Sequence, residues 1–299
     1  MGLSNFEIDQ AVQDKVGNIS YICLPCQFLT KEFVSKVKEL KQKNSILGVG
    51  IYSDDLIEIL LKRKPVTNLS DRKIMAENVE GVDFVFDVPT LNKEIINNRV
   101  EEAYSKHLKG EQESRNNERK LYKIGYVPGT YDLLHPGHIE NIMIAKSCCE
   151  KVILGVNAPE GMTGKDASKI IMSTEERAVV AEALKMVDGV YIANTPSKKD
   201  ANKWVKENVC KSGIDVIFAG EDRNEEGYGN GLKVIFTSRP KSVMKERSST
   251  SKREKLAIGG YVSKQDYVRK LVKVIVPKSD ILRKYKKEQQ AREEKQIGE

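Results

Sequence analysis

One strand–helix–strand pattern occurs twice along this chain, and that repetition restricts its fold more than any other feature. Ile46-Leu47-Gly48-Val49 reads like Ile153-Leu154-Gly155-Val156, 107 positions later. Asp71-Arg72 and Val82-Asp83 match Glu176-Arg177 and Val187-Asp188 at a spacing of 105. In both copies an apolar helix follows the arginine, and Val-Asp leads into a short strand (Phe84–Phe86; Val190–Ile192). Both also open with a strand and an amphipathic helix: Ile22–Leu24 then Glu32–Leu40, and Ile124–Val127 then His138–Cys148. This alternation predicts an α/β protein of right-handed βαβ units on parallel sheets. Unrelated parallel sheets are alike in being rich in Val and Ile; the aligned arginines and Val-Asp pairs favour a true repeat. The expected units are a first repeat at 18–105, a charged linker at 106–120, a second repeat at 121–255 and a basic tail at 256–299.

The copies differ at one place. The second carries Gly129-Thr130-Tyr131-Asp132-Leu133-Leu134-His135-Pro136-Gly137-His138, with two of the three histidines in the chain. Where it has Leu134 to His138, the first has roughly Phe28 to Glu32. Two imidazoles at a helix start, fed by a glycine turn, make a site for a nucleotide's phosphates: backbone N–H groups and the helix dipole favour an anion there. Gly129 is expected to let the phosphates approach the backbone closely. The plain alternative is two histidines beside a turn.

Further elements of the second repeat surround this run. A loop from Asn157 to Ile171 holds Lys165 and Lys169, which either touch phosphate or only solvate the loop. Ser173 and Glu176 form a capping box for the next helix. Arg177 at its start serves either an interhelical ion pair or the substrate. A strand at Ile214–Ala219 ends in Gly220-Glu221-Asp222-Arg223, which should face the site because ligands of open α/β sheets lie beyond strand C-termini. Asp222 reads equally as a turn residue. Trp204, the sole tryptophan, either packs or covers a cationic head group. After the strand Lys233–Thr237 comes a basic segment in which Arg247, Ser248, Ser249 and Thr250 could bind phosphate oxygens at another helix start.

Composition bounds the partners. The length of 299 residues suits two domains. No run of about 18 apolar residues exists, so no membrane span is expected. From the first residues, Met1 to Phe6, neither a secretory leader nor myristoylation is expected. Five cysteines, with Cys148 and Cys149 adjacent, fit reduced thiols in a cytoplasmic protein. Cys23 and Cys26 form a C-x-x-C without a second ligand pair, and read as small buried hydrophobes. From Lys241 onward 17 Lys/Arg stand against 8 Asp/Glu, so this segment carries +9 and residues 1–240 carry −2 of the net +7. A basic tail suits anionic partners: phosphate substrates, acidic lipid or RNA. Its apolar face is thin (Ile281, Leu282, Tyr285), which favours a solvated helix over a membrane anchor.

The run from Gly129 to His138 resembles the G-[TS]-[FY]-D-x-x-H-x-G-H signature of the cytidylyltransferase-like nucleotidyltransferases, at all seven fixed positions. The segment Lys245 to Glu254 loosely resembles the family's second signature, R-T-x-G-x-S-T-T; its glycine is missing, and Arg239 and Arg247 compete for the arginine. The resemblance implies tandem Rossmann-like nucleotidyltransferase domains, the first copy degenerate. It implies nucleotide transfer from CTP to a small phosphomonoester (glycerol 3-phosphate, or choline or ethanolamine phosphate), with pyrophosphate released. His135 and His138 would hold the triphosphate, with Lys169 (or Lys165) and Arg247 adding charge. Gly129, Thr130, Tyr131, Gly137, Gly220, Asp222 and Ser248 to Thr250 would line the nucleotide. Asp132, Lys165, Arg177 and Trp204 would serve the substrate, Asp132 by orienting a histidine or meeting the metal. Mg²⁺ on the phosphates is implied, with no dedicated protein ligand set. Catalytic domains of this type pair near the H-x-G-H, so the degenerate repeat would supply a pseudo-dimer within one chain; a homodimer of such chains stays open. Small phosphates rather than nucleic acid or membrane are the implied partners. Alternatives are an ATP-dependent adenylyltransferase acting on a sugar phosphate, and a non-catalytic nucleotide-binding scaffold. A class I tRNA synthetase is disfavoured by the absence of K-M-S-K-S.

Overall fold

A computed structural model of the chain describes residues 11–43, 46–61, 64–113, 120–158, 170–193, 207, 212–220 and 231–237. Two sheets organise them. In the first unit, β1 (Val12–Val16) turns through Gly17, whose φ of 57° suits a residue without a side chain, and pairs antiparallel with β2 (Ile19–Leu24). Then follow α1 (Lys31–Lys43), β3 (Ile46–Tyr52), α2 (Asp54–Leu61), α3 (Leu69–Glu77), β4 (Phe84–Val88) and α4 (Lys93–Glu113). The sheet order is β1-β2-β3-β4, with β2, β3 and β4 parallel. The second unit runs β5 (Tyr122–Gly129), α5 (Pro136–Cys148), β6 (Cys149–Asn157), α6 (Thr174–Glu182), β7 (Gly189–Ala193), β8 (Val216–Gly220) and β9 (Lys233–Thr237). Its order is β7-β6-β5-β8-β9, every pair parallel. The tandem α/β reading holds, and β1 takes beside β2 the place that β8 takes beside β5. β1 precedes residue 18, and the stretch expected as a linker from 106 begins inside α4.

Strands β2 and β8 are buried along their whole length, as continuous apolar runs in a two-sided sheet require. Cys23 and Cys26 lie in this core at 0% and 1% exposure. Burial pushes the Cys23 thiol up to about 12, so it behaves as a hydrophobe.

Equivalent hydrogen bonds fix the register of the repeat. The Asp83 carboxylate accepts from Leu47 N (2.7 Å) and Lys41 Nζ (2.5 Å). Asp188 does the same with Val152 N (2.8 Å) and Lys146 Nζ (2.7 Å). The spacing is therefore 105 here too, and Ile46–Val49 corresponds to Lys151–Leu154. The likeness of Ile46–Val49 to Ile153–Val156 is two residues out of register. A two-residue shift along a strand returns each side chain to the same face, so the apolar pattern cannot detect it.

The same 105-residue offset relates the two units in space. Glu80 N donates to Ala183 O (2.7 Å) and Lys185 N to Asn78 O (2.9 Å). Val79 forms an antiparallel bridge with Leu184 between these bonds. Moving each partner by 105 exchanges one bond for the other, which describes a pseudo-two-fold axis at Val79–Leu184. Around it α1 packs on α6 and α3 on α5, and one apolar cluster runs through both units.

One charge contact at this seam has no counterpart. Glu32 on α1 is close enough to Glu176 on α6 for their charges to interact. At the equivalent of Glu32 the second unit has Gly137. Burial first, and Glu176 in addition, raise the Glu32 carboxyl above its usual value, against hydrogen bonds that lower it. Its Oε2 is buried without a hydrogen-bond partner. A carboxyl raised on folding weakens the folded state as pH climbs through its folded value. Glu32→Gln should therefore melt above the wild type at pH 8, and thermal melts should show the gap closing below the unfolded value of 4.5.

Candidate active site

In the second sheet the strand order reverses at β5: β6 and β7 lie to one side, β8 and β9 to the other. The crevice outside the C-terminal ends of β5 and β8 is the switch point at which open α/β sheets bind ligands. Gly129 ends β5, Gly220 ends β8, and α5 starts beside them.

His135 is the N-cap of α5, extended at φ −144° and ψ 165°, and 5% exposed. Its carbonyl accepts from His138 N (2.8 Å), which closes the first turn. Pro136 follows at the first helical position, where a missing N–H costs nothing. The His135 and His138 rings stack with centroids 3.9 Å apart. His135 N donates to His138 Nδ1 (3.3 Å). An accepting Nδ1 leaves the proton of a neutral imidazole on Nε2, so His138 offers Nε2–H as a donor. His138 is half-buried. The arrangement presents backbone N–H groups and an imidazole donor at one helix end, which suits phosphate oxygens.

The loop feeding α5 is built to hold these rings. Tyr131 adopts a left-handed φ of 56°, its hydroxyl donates to Val127 O (2.7 Å), and its ring lies 5.3 Å from that of His138. A Cβ on Gly129 would sit 2.7 Å from the Tyr131 ring. The glycine therefore makes room for an aromatic ring, a steric need that the sequence does not reveal. Tyr131 itself is 2% exposed, and its ring packs beside that of His138. Gly137 gives space to the His135 ring, 3.2 Å from where a Cβ would stand.

Arg177 and Asp132 brace the loop from below. Arg177 is 0% exposed, and its guanidinium donates to Thr130 O (2.6 Å), Asn157 O (2.8 Å), Met172 O (3.2 Å) and Thr174 Oγ1 (2.8 Å). Burial lowers its pKa, and the nearby Asp132 and Glu175 carboxylates oppose that. Asp132, 1% exposed, accepts from Ile171 N (3.2 Å) and Met172 N (3.1 Å). Arg177 and Asp132 thus join the ends of β5 and β6 to the start of α6. Both side chains are buried and engaged with these local groups, so the frame of the loop is the role the geometry gives them. Thr130 is 8% exposed, with its carbonyl taken by Arg177. Among the described residues no group of three His, Cys, Asp or Glu could hold a metal ion.

The first unit keeps this frame without the chemistry. Arg72 donates to Pro25 O (2.7 Å), Tyr52 O (2.6 Å) and Thr67 O (2.8 Å), and its fourth partner is Asp54. Gln27 accepts from Val66 N (2.9 Å), as Asp132 does from Ile171. Cys26 has φ 50° where Tyr131 has 56°. At the positions of the two histidines stand Thr30, which caps Phe33 N (3.2 Å), and Phe33, 3% exposed. Leu24 and Cys26 replace Gly129 and Tyr131, a large–small pair in place of small–large.

Lys165, Lys169, Trp204, Asp222, Arg239, Arg247, Ser248, Ser249 and Thr250 lie outside the described residues. Sequence reading passed over Asn141 and Thr237, whose side chains meet at 2.8 Å beside the site. The signal was a polar residue between the buried positions Ile139 and Ile142 of an apolar helix.

A family model for the cytidylyltransferase-like proteins matches residues 126–281, just over half of the chain. The chain belongs to the cytidylyltransferase-like family. It is 36% identical over 94 residues to the bifunctional protein HldE of Hyphomonas neptunium, covering 31% of this chain and 19% of that protein. It is 30% identical over 136 residues to the FAD synthase of Pyrococcus horikoshii, covering 45% of this chain and 90% of that protein. The chain thus spans about a fifth of the HldE relatives and nearly all of the FAD synthase. A crystal structure of the lipopolysaccharide core biosynthesis protein from Thermoplasma volcanium matches with 23% identity and a TM-score of 0.32, over 40% of this chain and 96% of that one.

Arg177→Met leaves three buried carbonyls without their donor and should cost about 3 kcal/mol in chemical denaturation. Gly129→Ala should cost about 1–3 kcal/mol by overpacking the Tyr131 ring. The double variant Gly129→Ala/Tyr131→Cys, which follows the Leu24/Cys26 pairing, should recover much of that loss, a non-additivity a double-mutant cycle reads directly.

Proposed function

We propose that this protein transfers a nucleotidyl group from a nucleoside triphosphate to a small phosphomonoester. The observation that carries the reading is the stacked His135–His138 pair at the start of α5, at the switch point of a parallel sheet. An acceptor phosphate oxygen attacks the α-phosphorus. The bond from that phosphorus to the bridging oxygen breaks, and pyrophosphate leaves with the electron pair. Such a step needs no protein nucleophile, only alignment and donors toward the charge that builds on the phosphates. His138 Nε2–H and the α5 backbone N–H groups are those donors. Lys169 or Lys165, Arg247 with Ser248 to Thr250, Asp222 and Trp204 are the candidates for further contacts. Mg²⁺ is expected to arrive with the triphosphate as part of the substrate, because Asp132 is already committed to two backbone N–H groups.

ATP is the donor that the relatives favour. FAD carries an adenylyl group on a phosphorylated flavin, and the match to FAD synthase covers 90% of that protein. CTP is the second reading, favoured by the spelling of the Gly129–His138 run. In the first unit Thr30 and Phe33 replace the histidines, so one site per chain is proposed, with the first unit as its internal pairing partner. The expected place of action is the cytoplasm; no helix among the described residues is long and apolar enough to cross a membrane.

Pyrophosphate release with Mg²⁺ and either ATP or CTP, over a panel of phosphomonoesters, tests the reading. His138→Ala should lower kcat by about 100-fold or more. Calorimetric titration should give one nucleotide per chain; two per chain would refute the single-site reading.

A further inference from the structure

Thr237 ends β9, and Gly220 pairs with it in register at the end of β8. Asn141 lies on α5, one turn beyond His138. Both are buried, at 5% and 6% exposure. The Thr237 hydroxyl stands 2.8 Å from Asn141 Oδ1 and 3.2 Å from Ala219 O. A hydroxyl has one proton, and two oxygens compete for it. Turning the Asn141 amide over removes the conflict: Nδ2–H donates to Thr237 Oγ1, and Oγ1–H donates to Ala219 O. The two amide orientations are equivalent in shape, so the hydrogen-bond pattern decides between them.

Two bonds in series then join α5 to β9 and β9 to β8. A buried polar pair between a helix and a sheet edge is costly unless every member is satisfied. With the amide turned, the Asn141 donor, the Thr237 hydroxyl and the Ala219 carbonyl form a paired chain between α5 and the strand ends. It fixes the distance between the helix start that carries His138 and the strand ends that close the opposite wall.

We infer that Asn141 and Thr237 are positioning residues for the bound nucleotide: the Asn141–Thr237–Ala219 chain sets the width of the crevice between α5 and the ends of β8 and β9. This rests on the nucleotide-transfer reading of the same site. The pair does not touch the reacting atoms. It acts through the spacing of the groups that do.

The full chain is titrated with MgATP and MgCTP by calorimetry, apart from any turnover assay. Thr237→Val keeps the shape of the side chain and removes the hydroxyl. It should raise Kd for the nucleotide that binds by about five- to tenfold, while Thr237→Ser stays within about twofold of the wild type. Asn141→Asp loses the Nδ2 donor and should match the Val variant at pH 8; it also serves if the Val variant does not fold. A merely structural pair would lower the melting temperature of both variants and leave Kd unchanged in the folded protein, which overturns the inference. A Ser variant as weak as the Val variant overturns it as well. If the wild type binds nucleotide and releases no pyrophosphate with any acceptor, the transfer reading loses its support while the Kd comparison still decides the pair. A wild type that binds neither nucleotide overturns both.

Discussion

A single buried guanidinium in each unit holds the strand ends on which everything else depends. Arg177 bridges carbonyls from the end of β5, the end of β6 and the approach to α6, and Arg72 does the same 105 residues earlier. Those carbonyls sit where strands end and the sheet ladder can no longer serve them. Arginine suits the task because its planar fork offers five donors and keeps its charge on burial. A lysine has one nitrogen and cannot reach three separated carbonyls at once. Both copies keep the arginine, including the one without the histidine pair, and in both it donates to three backbone carbonyls.

The contrast between the units separates frame from chemistry. Left-handed residue, loop-bracing amide acceptor and arginine recur in both. The rings that would meet phosphate occur in one. Thr30 satisfies the helix start with an ordinary cap, and Phe33 fills apolar space where His138 sits half-buried. A helix N-terminus alone does not make the site. In the proposed site, phosphate recognition would come from side chains that carry donors, with His138 held half-buried by the loop.

Much of this was legible in the sequence, and the misses have physical causes. The tandem α/β order and the histidine run could be read because they rest on local pattern and spacing. The register of β3 against β6 could not, because a strand has period two and a slip of two is silent. Gly129 pointed to a backbone without room for a side chain, but not to the occupant, and the occupant is Tyr131. Arg177 and Asp132 are charged residues beside a motif, which suggests substrate; only burial shows that their partners are backbone groups. β1 escaped notice because this five-residue strand with alternating exposure precedes the pattern that the two copies share.

The seam at Val79–Leu184 joins unlike halves of one chain. In a symmetric dimer each substitution on the axis is present twice and meets its own copy, so its cost is doubled and size changes rarely compensate. Here a change on one side appears once, and the other side can answer it independently. That freedom let Glu32 and Gly137 occupy equivalent positions with opposite demands. It also makes the two halves non-interchangeable: this seam forms inside one chain, at an effective concentration set by the connecting chain and independent of dilution.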